Sequence, residues 1–197
     1  MTAASALEWR PHYKYVLLAL FLFALAPRLY SALTLGWDWD YEGSFTLINY
    51  DEGGSCRAAM DGFDYSTFIG RQTVAIAELL GAGPEAGIAG DQRAVKSYCH
   101  SAAHIRVARV YSAVTGALTA VMLALVALQL RPAQPGVAWM SGALLALSGF
   151  HISESHSATV DAPSVFYIYA FLALMVYAVR NQRREIWLTP ILLVAAV

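Results

Sequence analysis

Charge is scarce in this sequence. Only 14% of its 197 residues are Asp, Glu, Lys or Arg, against about a quarter in ordinary soluble domains, and that shortage excludes a globule wetted on every side. Neither sign dominates: the net charge is -1 and the pI about 6.5, so there is no basic excess and no nucleic-acid partner is expected. Repeats and low-complexity tracts are absent. Cysteine is limited to Cys56 and Cys99. What the chain has in plenty is apolar: 58% of residues are hydrophobic and mean hydropathy is +0.49, so lipid must cover what water cannot.

The apolar residues fall into long runs, and the fold class they predict is all-α, a polytopic transmembrane helical protein. Spans are expected at about 15–35, 105–130, 137–152 and 163–179, with a fifth beginning near 186 and cut short at 197. Arg10, His12 and Lys14 precede the first run as they would a signal peptide. That run continues past Pro27 to Leu35, and no small-x-small cleavage site follows before Trp37, so it reads as a retained span. The last run is too short to cross ~30 Å of hydrocarbon, so 1–197 reads as one N-terminal transmembrane module of a longer chain.

Arg131, Pro132, Gln134, Pro135 and Gly136 form a breaker-rich turn between spans two and three. Arg180, Arg183 and Arg184 form a short basic loop, which the positive-inside rule makes cytoplasmic. The N-terminus is then cytoplasmic as well, while 36–104 and 151–162 face the opposite side of a cytoplasmic or inner membrane. Within 36–104, residues 66–80 place Ile69, Thr73, Ile76, Leu79 and Leu80 near one face of an amphipathic juxtamembrane helix, and Asp91 caps a second short helix running through Val95 towards Tyr98. Both cysteines lie in this loop, where oxidation is permitted, and a Cys56–Cys99 disulfide tying its start to its end is the expectation.

The polar residues concentrate in the two connections on that side. Trp37, Asp38, Trp39, Asp40, Tyr41 and Glu42, then Asn49, Tyr50, Asp51 and Glu52, set carboxylates beside aromatic rings. That composition suits sugars, whose apolar faces stack on rings while their hydroxyls donate to carboxylates, and it equally suits interfacial anchors with solvating acids. The adjacent acids Asp51 and Glu52 precede Gly53 and Gly54, which permit a sharp turn or close approach to a ligand. In the second connection His151, Glu154, His156 and Asp161 sit at a membrane boundary, where such groups are costly unless paired or wet. Asp161 followed by Pro163 also suits the start of a helix. His151 and His156 lack the i, i+4 spacing of a metal pair, so a cation there needs Asp51 or Glu52 as well. Arg28, Arg106 and Arg109, near span ends, either snorkel to headgroups or grip a lipid phosphate.

Taken in order, these features resemble the N-terminal part of a GT-C superfamily membrane glycosyltransferase, close to the protein O-mannosyltransferase and lipid A aminoarabinose transferase group. A first span ending Ala26-Pro27-Arg28-Leu29-Tyr30 leads to a long loop with Asn49-Tyr50-Asp51-Glu52. The third span leads into His156-Ser157-Ala158-Thr159-Val160-Asp161-Ala162-Pro163 before an aromatic-rich fourth helix. The resemblance implies transfer of a sugar from a polyprenyl-phosphate carrier to an extracytoplasmic acceptor among membrane lipids. It implies Asp51 as general base, with Glu52 and Asp161 orienting substrates or a divalent metal held by Asp51, Glu52 and His156. Tyr50, His151 and His156 would bind substrate, and Arg106 and Arg109 would receive the leaving phosphate. The sequence departs from the group where Gly53, Gly54 and Ser55 follow the acidic pair, and no His-Pro-Pro motif is present. The competing reading is a non-catalytic transmembrane subunit or scaffold of a larger membrane complex. A transporter fragment would carry charges and breakers within its spans rather than at their ends.

Overall fold

The computed structural model describes residues 10–37, 45–63 and 65–180. The fifth span, Asp38, Trp39, Asp40, Tyr41, Glu42, Arg183 and Arg184 lie outside the described residues. Eight helices are described: α1 (Tyr13–Thr34), α2 (Gly54–Asp61), α3 (Thr67–Leu79), α4 (Gln92–Cys99), α5 (Ala102–Leu130), α6 (Pro135–Ala146), α7 (Gly149–Glu154) and α8 (Asp161–Arg180). Among the described residues no strand forms, only an isolated bridge between Trp37 and Phe45. α1, α5 and α8 are each long and apolar enough to cross a membrane.

α5 is the central helix because its residues are small. Ala113, Ala117, Ala120 and Ala124 are wholly buried, and small side chains let neighbouring backbones approach where lipid supplies no hydrophobic drive for association. Leu20 and Ala24 of α1 and Ala146 of α6 complete this core. Thr115 and Thr119 return their hydroxyls to the carbonyls of Tyr111 and Thr115 at 2.9 Å each, satisfying donors that hydrocarbon cannot.

The third span differs from expectation. The apolar run at 137–152 is two helices, because α6 has 12 residues and reaches only about 18 Å. The chain breaks at Leu147 and resumes as α7, capped by the Ser148 hydroxyl, which accepts from the His151 amide. The break is sustained by a buried cation. Arg28 of α1 donates to the carbonyls of Ala146 (3.0 Å) and Leu145 (3.2 Å) at the end of α6, and to that of Ala24 (2.7 Å), supplying partners that the missing next turn would have offered. Arg28 is fully buried and so does not snorkel.

α1 ends, α5 begins, α6 ends and α8 begins at the same end of the bundle, so α2, α3 and α4 share that end with the connection 147–160. Arg131 and Arg180 follow from the opposite ends of α5 and α8. α3 forms where the amphipathic pattern places it, but its buried face is rotated: Ile69, Gly70, Thr73 and Ala77 turn inward, while Leu79 and Leu80 are 86% and 69% exposed. The cause is its neighbours. A Cβ on Gly70 would stand 1.8 Å from the Ser55 carbonyl, so α2 and α3 cross backbone to backbone, and the hydroxyls of Tyr111 (α5) and Tyr167 (α8) both donate to Gln72 Oε1. α4 starts where Asp91 accepts the amides of Arg93 and Ala94.

Cys56 of α2 and Cys99 of α4 form a disulfide with Cα atoms 5.6 Å apart, closing 43 residues of chain. A loop of that length restricts the unfolded state by about 4 kcal/mol. Replacing both cysteines by Ser is therefore expected to leave the spans inserted but to expose 54–99 to limited proteolysis. Unchanged cleavage rates in the two proteins would show that α2 and α4 stay docked without the bond.

Candidate functional site

The acidic turn is built by its own backbone. The Asn49 side chain accepts the Asp51 amide at 3.0 Å, the Asn49 carbonyl accepts the Glu52 amide, and the Asp51 carbonyl accepts the Gly54 amide. Gly53 then takes a left-handed φ of +85°, and a Cβ there would lie 2.8 Å from the Cys99 carbonyl, so the turn both requires glycine and rests on the end of α4.

These constraints send the two acids in opposite directions. Glu52 is wholly buried. Arg109 Nε and Nη2 donate to its two oxygens at 2.8 Å each, and the amides of Ile48 and Ala158 donate at 2.9 Å each. Burial by itself would raise this carboxyl, but the Arg109 hydrogen bond, the two amides and the Arg109 charge outweigh it and hold Glu52 below the usual carboxylate range. Arg109 spends its remaining donors on the carbonyls of Leu35 (2.8 Å) and Thr46 (3.1 Å). The pair thus joins α1, the acidic turn, α5 and the connection preceding Asp161. Two expectations change with it: Glu52 has no oxygen open to a metal, and Arg109 has protein carbonyls and a carboxylate where a phosphate was expected.

Asp51 is exposed, and its carboxylate makes no hydrogen bond among the described residues. It lines a cleft of about 520 Å³ with Asn49, Tyr50, Phe63, Tyr65, Lys96 and His100 among its walls. Tyr50 is 96% exposed. Tyr65 lies on the same cleft wall, its ring packed 3.5 Å from where a Cβ on Gly54 would stand. Its phenol is pushed up to about 12, first by burial and then by the charges of Asp51 and Asp161, so it is a neutral donor.

Asp161 is exposed at the start of α8 and lines a separate cavity of about 270 Å³ with Phe150, His151 and Glu154. His151 Nδ1 lies 3.0 Å from Arg28 Nη2, and because arginine only donates, Nδ1 must accept. Burial and then the Arg28 charge push the imidazole down to about 4, so His151 is neutral with its proton on Nε2. His156 is placed elsewhere. It is buried, with Nδ1 donating to the Ile152 carbonyl at 3.2 Å, and it lines neither cavity. Asp51, Glu52 and His156 therefore do not assemble as a cation site, and among the described residues no three His, Cys, Asp or Glu side chains converge as metal ligands.

Arg106 alone of the three arginines keeps an exposed guanidinium, stacked over Trp37 at 4.8 Å. Arg109 lies 5.1 Å from the same ring. Beside Arg106 an apolar groove of about 440 Å³ runs between α1, α3 and α5, walled by Leu33, Ile76, Leu80, Val107, Val110 and Val114. Sequence reasoning missed Tyr65, Lys96, His100 and the groove. Lys96 and His100 carried a signal in hindsight, since the Cys56–Cys99 bond brings α4 to the acidic turn; Tyr65 carried none.

The family model for Dolichyl-phosphate-mannose-protein mannosyltransferase matches residues 91–197. No curated protein and no solved structure matches the chain. The matched region holds Arg106, Arg109, His151 and Asp161, and the Ala158 amide within it reaches the Asp51–Glu52 turn outside it.

Proposed function

This chain belongs to the dolichyl-phosphate-mannose-protein mannosyltransferase family, and from that premise we propose that it transfers a sugar from a polyprenyl-phosphate carrier to a hydroxyl on an extracytoplasmic acceptor, with Asp51 as the general base. The observation that carries this reading is the division of labour in the acidic pair. Glu52 is consumed by Arg109, Ile48 and Ala158, and that buried staple leaves Asp51 held at the backbone but open at its carboxylate, in a cleft large enough for a sugar and a hydroxyl.

The chemistry balances simply. As the acceptor oxygen bonds to the anomeric carbon, its proton passes to Asp51, and the anomeric carbon–oxygen bond to phosphate breaks with its electron pair leaving on the phosphate. That phosphate is already a good leaving group, so positive charge to receive it matters more than an acid. Arg106 has the open guanidinium for this role, and the adjoining apolar groove suits the lipid carrier. Asp161, Tyr65 and Tyr50 are the candidates for holding sugar hydroxyls. Arg131 and Arg180 at the opposite end of the bundle favour an orientation with the cleft extracytoplasmic.

The donor is the testable point. Protein in liposomes supplied with radiolabelled dolichyl-phosphate mannose is expected to label a serine- or threonine-bearing peptide, and the same liposomes supplied with GDP-mannose should label none. Labelling from the nucleotide sugar in lipid-linked-donor-free liposomes would sink the reading.

A further inference from the structure

The cleft beside Asp51 carries a second charge that the transfer chemistry does not use. Of the ionised groups on its walls, Glu52 is neutralised by Arg109, and Arg57 is engaged by Asp61 at 3.6 Å and by the ring of Phe63 at 4.2 Å. What remains is one carboxylate, Asp51, and one ammonium, Lys96. Both are exposed and line the same cleft, yet they form no ion pair with each other or with any other described residue. The end of α4 that bears Lys96 sits directly on the acidic turn: His100 Nε2 would be 3.2 Å, and the Cys99 carbonyl 2.8 Å, from a Cβ on Gly53. His100 Nδ1 donates to the Lys96 carbonyl at 2.8 Å, which holds the imidazole at the cleft wall, and the Cys56–Cys99 disulfide locks α4 to the helix that follows the turn.

An open cation and an open carboxylate on the walls of one cleft are complementary to a ligand with a hydroxyl at one point and an anion at another. We propose that the acceptor is an acidic polypeptide segment, whose carboxylate side chain binds Lys96, with His100 beside it, while the neighbouring hydroxyl is presented to Asp51. The proposal rests on Asp51 being the base. A polypeptide fits better than a lipid because the walls of this cleft come from the helices and turns outside the spans and carry both charges. The selectivity is electrostatic: Asp51 repels a carboxylate and Lys96 attracts one, which orients the acceptor.

The test uses fluorescent peptides of equal length, with serine flanked by Glu or by Gln, titrated by anisotropy against the full chain in neutral detergent micelles. The Glu peptide is expected to bind about tenfold more tightly, the scale of one charge-assisted contact at a partly open site. The preference should shrink at high salt, collapse in Lys96→Gln and persist in Lys96→Arg. Lys96 also lies in the last turn of α4, where a cation favours the helix terminus. A Lys96→Gln protein with a lower melting temperature and an undiminished peptide preference would confine Lys96 to that structural role and overturn the proposal. Equal binding of the two peptides by the unaltered protein, or no saturable binding, would overturn it too. Asp51→Asn separates the two readings: it should keep the preference while losing transfer. Transfer retained by Asp51→Asn defeats the base assignment whatever the peptides show.

Discussion

Asp51→Asn is expected to reduce sugar transfer by roughly 10²–10⁴-fold, the usual contribution of a positioned general base, while the protein expresses and melts as before. The two halves of that result have separate causes. The turn is held by the Asp51 amide on Asn49 Oδ1 and by the Asp51 carbonyl under the Gly54 amide, and an asparagine backbone makes both bonds. The carboxylate oxygens, by contrast, make no bond to the described protein, so an amide there costs the fold nothing and removes the proton acceptor. The loss should fall on kcat, with the KM for the donor little changed, because the carrier phosphate and lipid are assigned to Arg106 and the apolar groove. A variant turning over at the rate of the unaltered protein would show that another group takes the proton.

Separating Glu52 from Arg109 should produce the largest loss of stability. Both side chains are fully buried, and removing one partner leaves an uncompensated charge in a low-dielectric interior, an effect of about 3–5 kcal/mol. Glu52→Gln is not a gentle substitution here. Four N–H donors converge on the two carboxylate oxygens, and an amide would bring an NH2 against two of them. Arg109→Met should be as damaging, because the carbonyls of Leu35 and Thr46 lose their donor as well. Combining Arg109→Met with Glu52→Leu should cost less than the two single effects added, since the double variant buries no lone charge. Denaturant or thermal unfolding of the purified protein reads all three, and strict additivity would show that the ions are not coupled.

The same pair sets an acid limit. Because the Glu52 carboxyl is held below its unfolded range, its contribution is complete above that unfolded value and is lost as pH falls through the lower folded one. His151 acts earlier in the same direction. Its imidazole is pushed from 6.5 to about 4, so between those values an unfolded chain takes up a proton that the folded chain refuses, and stability drops as pH falls across that window. Unfolding free energy should decline in two stages on acidification, and Glu52→Leu with Arg109→Met should erase the second stage only.

Much of the fold was legible because it depends on short stretches of chain. Length and hydropathy locate α1, α5 and α8, since a span must satisfy its own backbone within one segment. Asp91 announces α4 through an N-cap that reaches only two and three residues ahead. The reading failed where a residue distant in sequence decided the outcome. The run at 137–152 is largely apolar and reads as one span; it breaks where Ser148 caps a new helix and Arg28, more than a hundred residues earlier, supplies donors to the Leu145 and Ala146 carbonyls. α3 forms within the predicted stretch but buries a different face, because its neighbours are the Ser55 backbone and two tyrosine hydroxyls.

The candidate site divides along the same line. Its residue types, acids beside aromatics followed by glycine, stand in the sequence, and so does the order that resembles the glycosyltransferases. Which acid is buried and which is open does not, because Asp51 and Glu52 are adjacent and chemically alike. Their difference arises from a residue 57 positions away and an amide 106 positions away. Composition alone determined that this chain lies in a membrane, since hydrophobic transfer sums over residues regardless of their arrangement. The tertiary structure alone decided that Glu52 holds the molecule together and Asp51 faces the cleft, because directional hydrogen bonds exist only once distant segments have met.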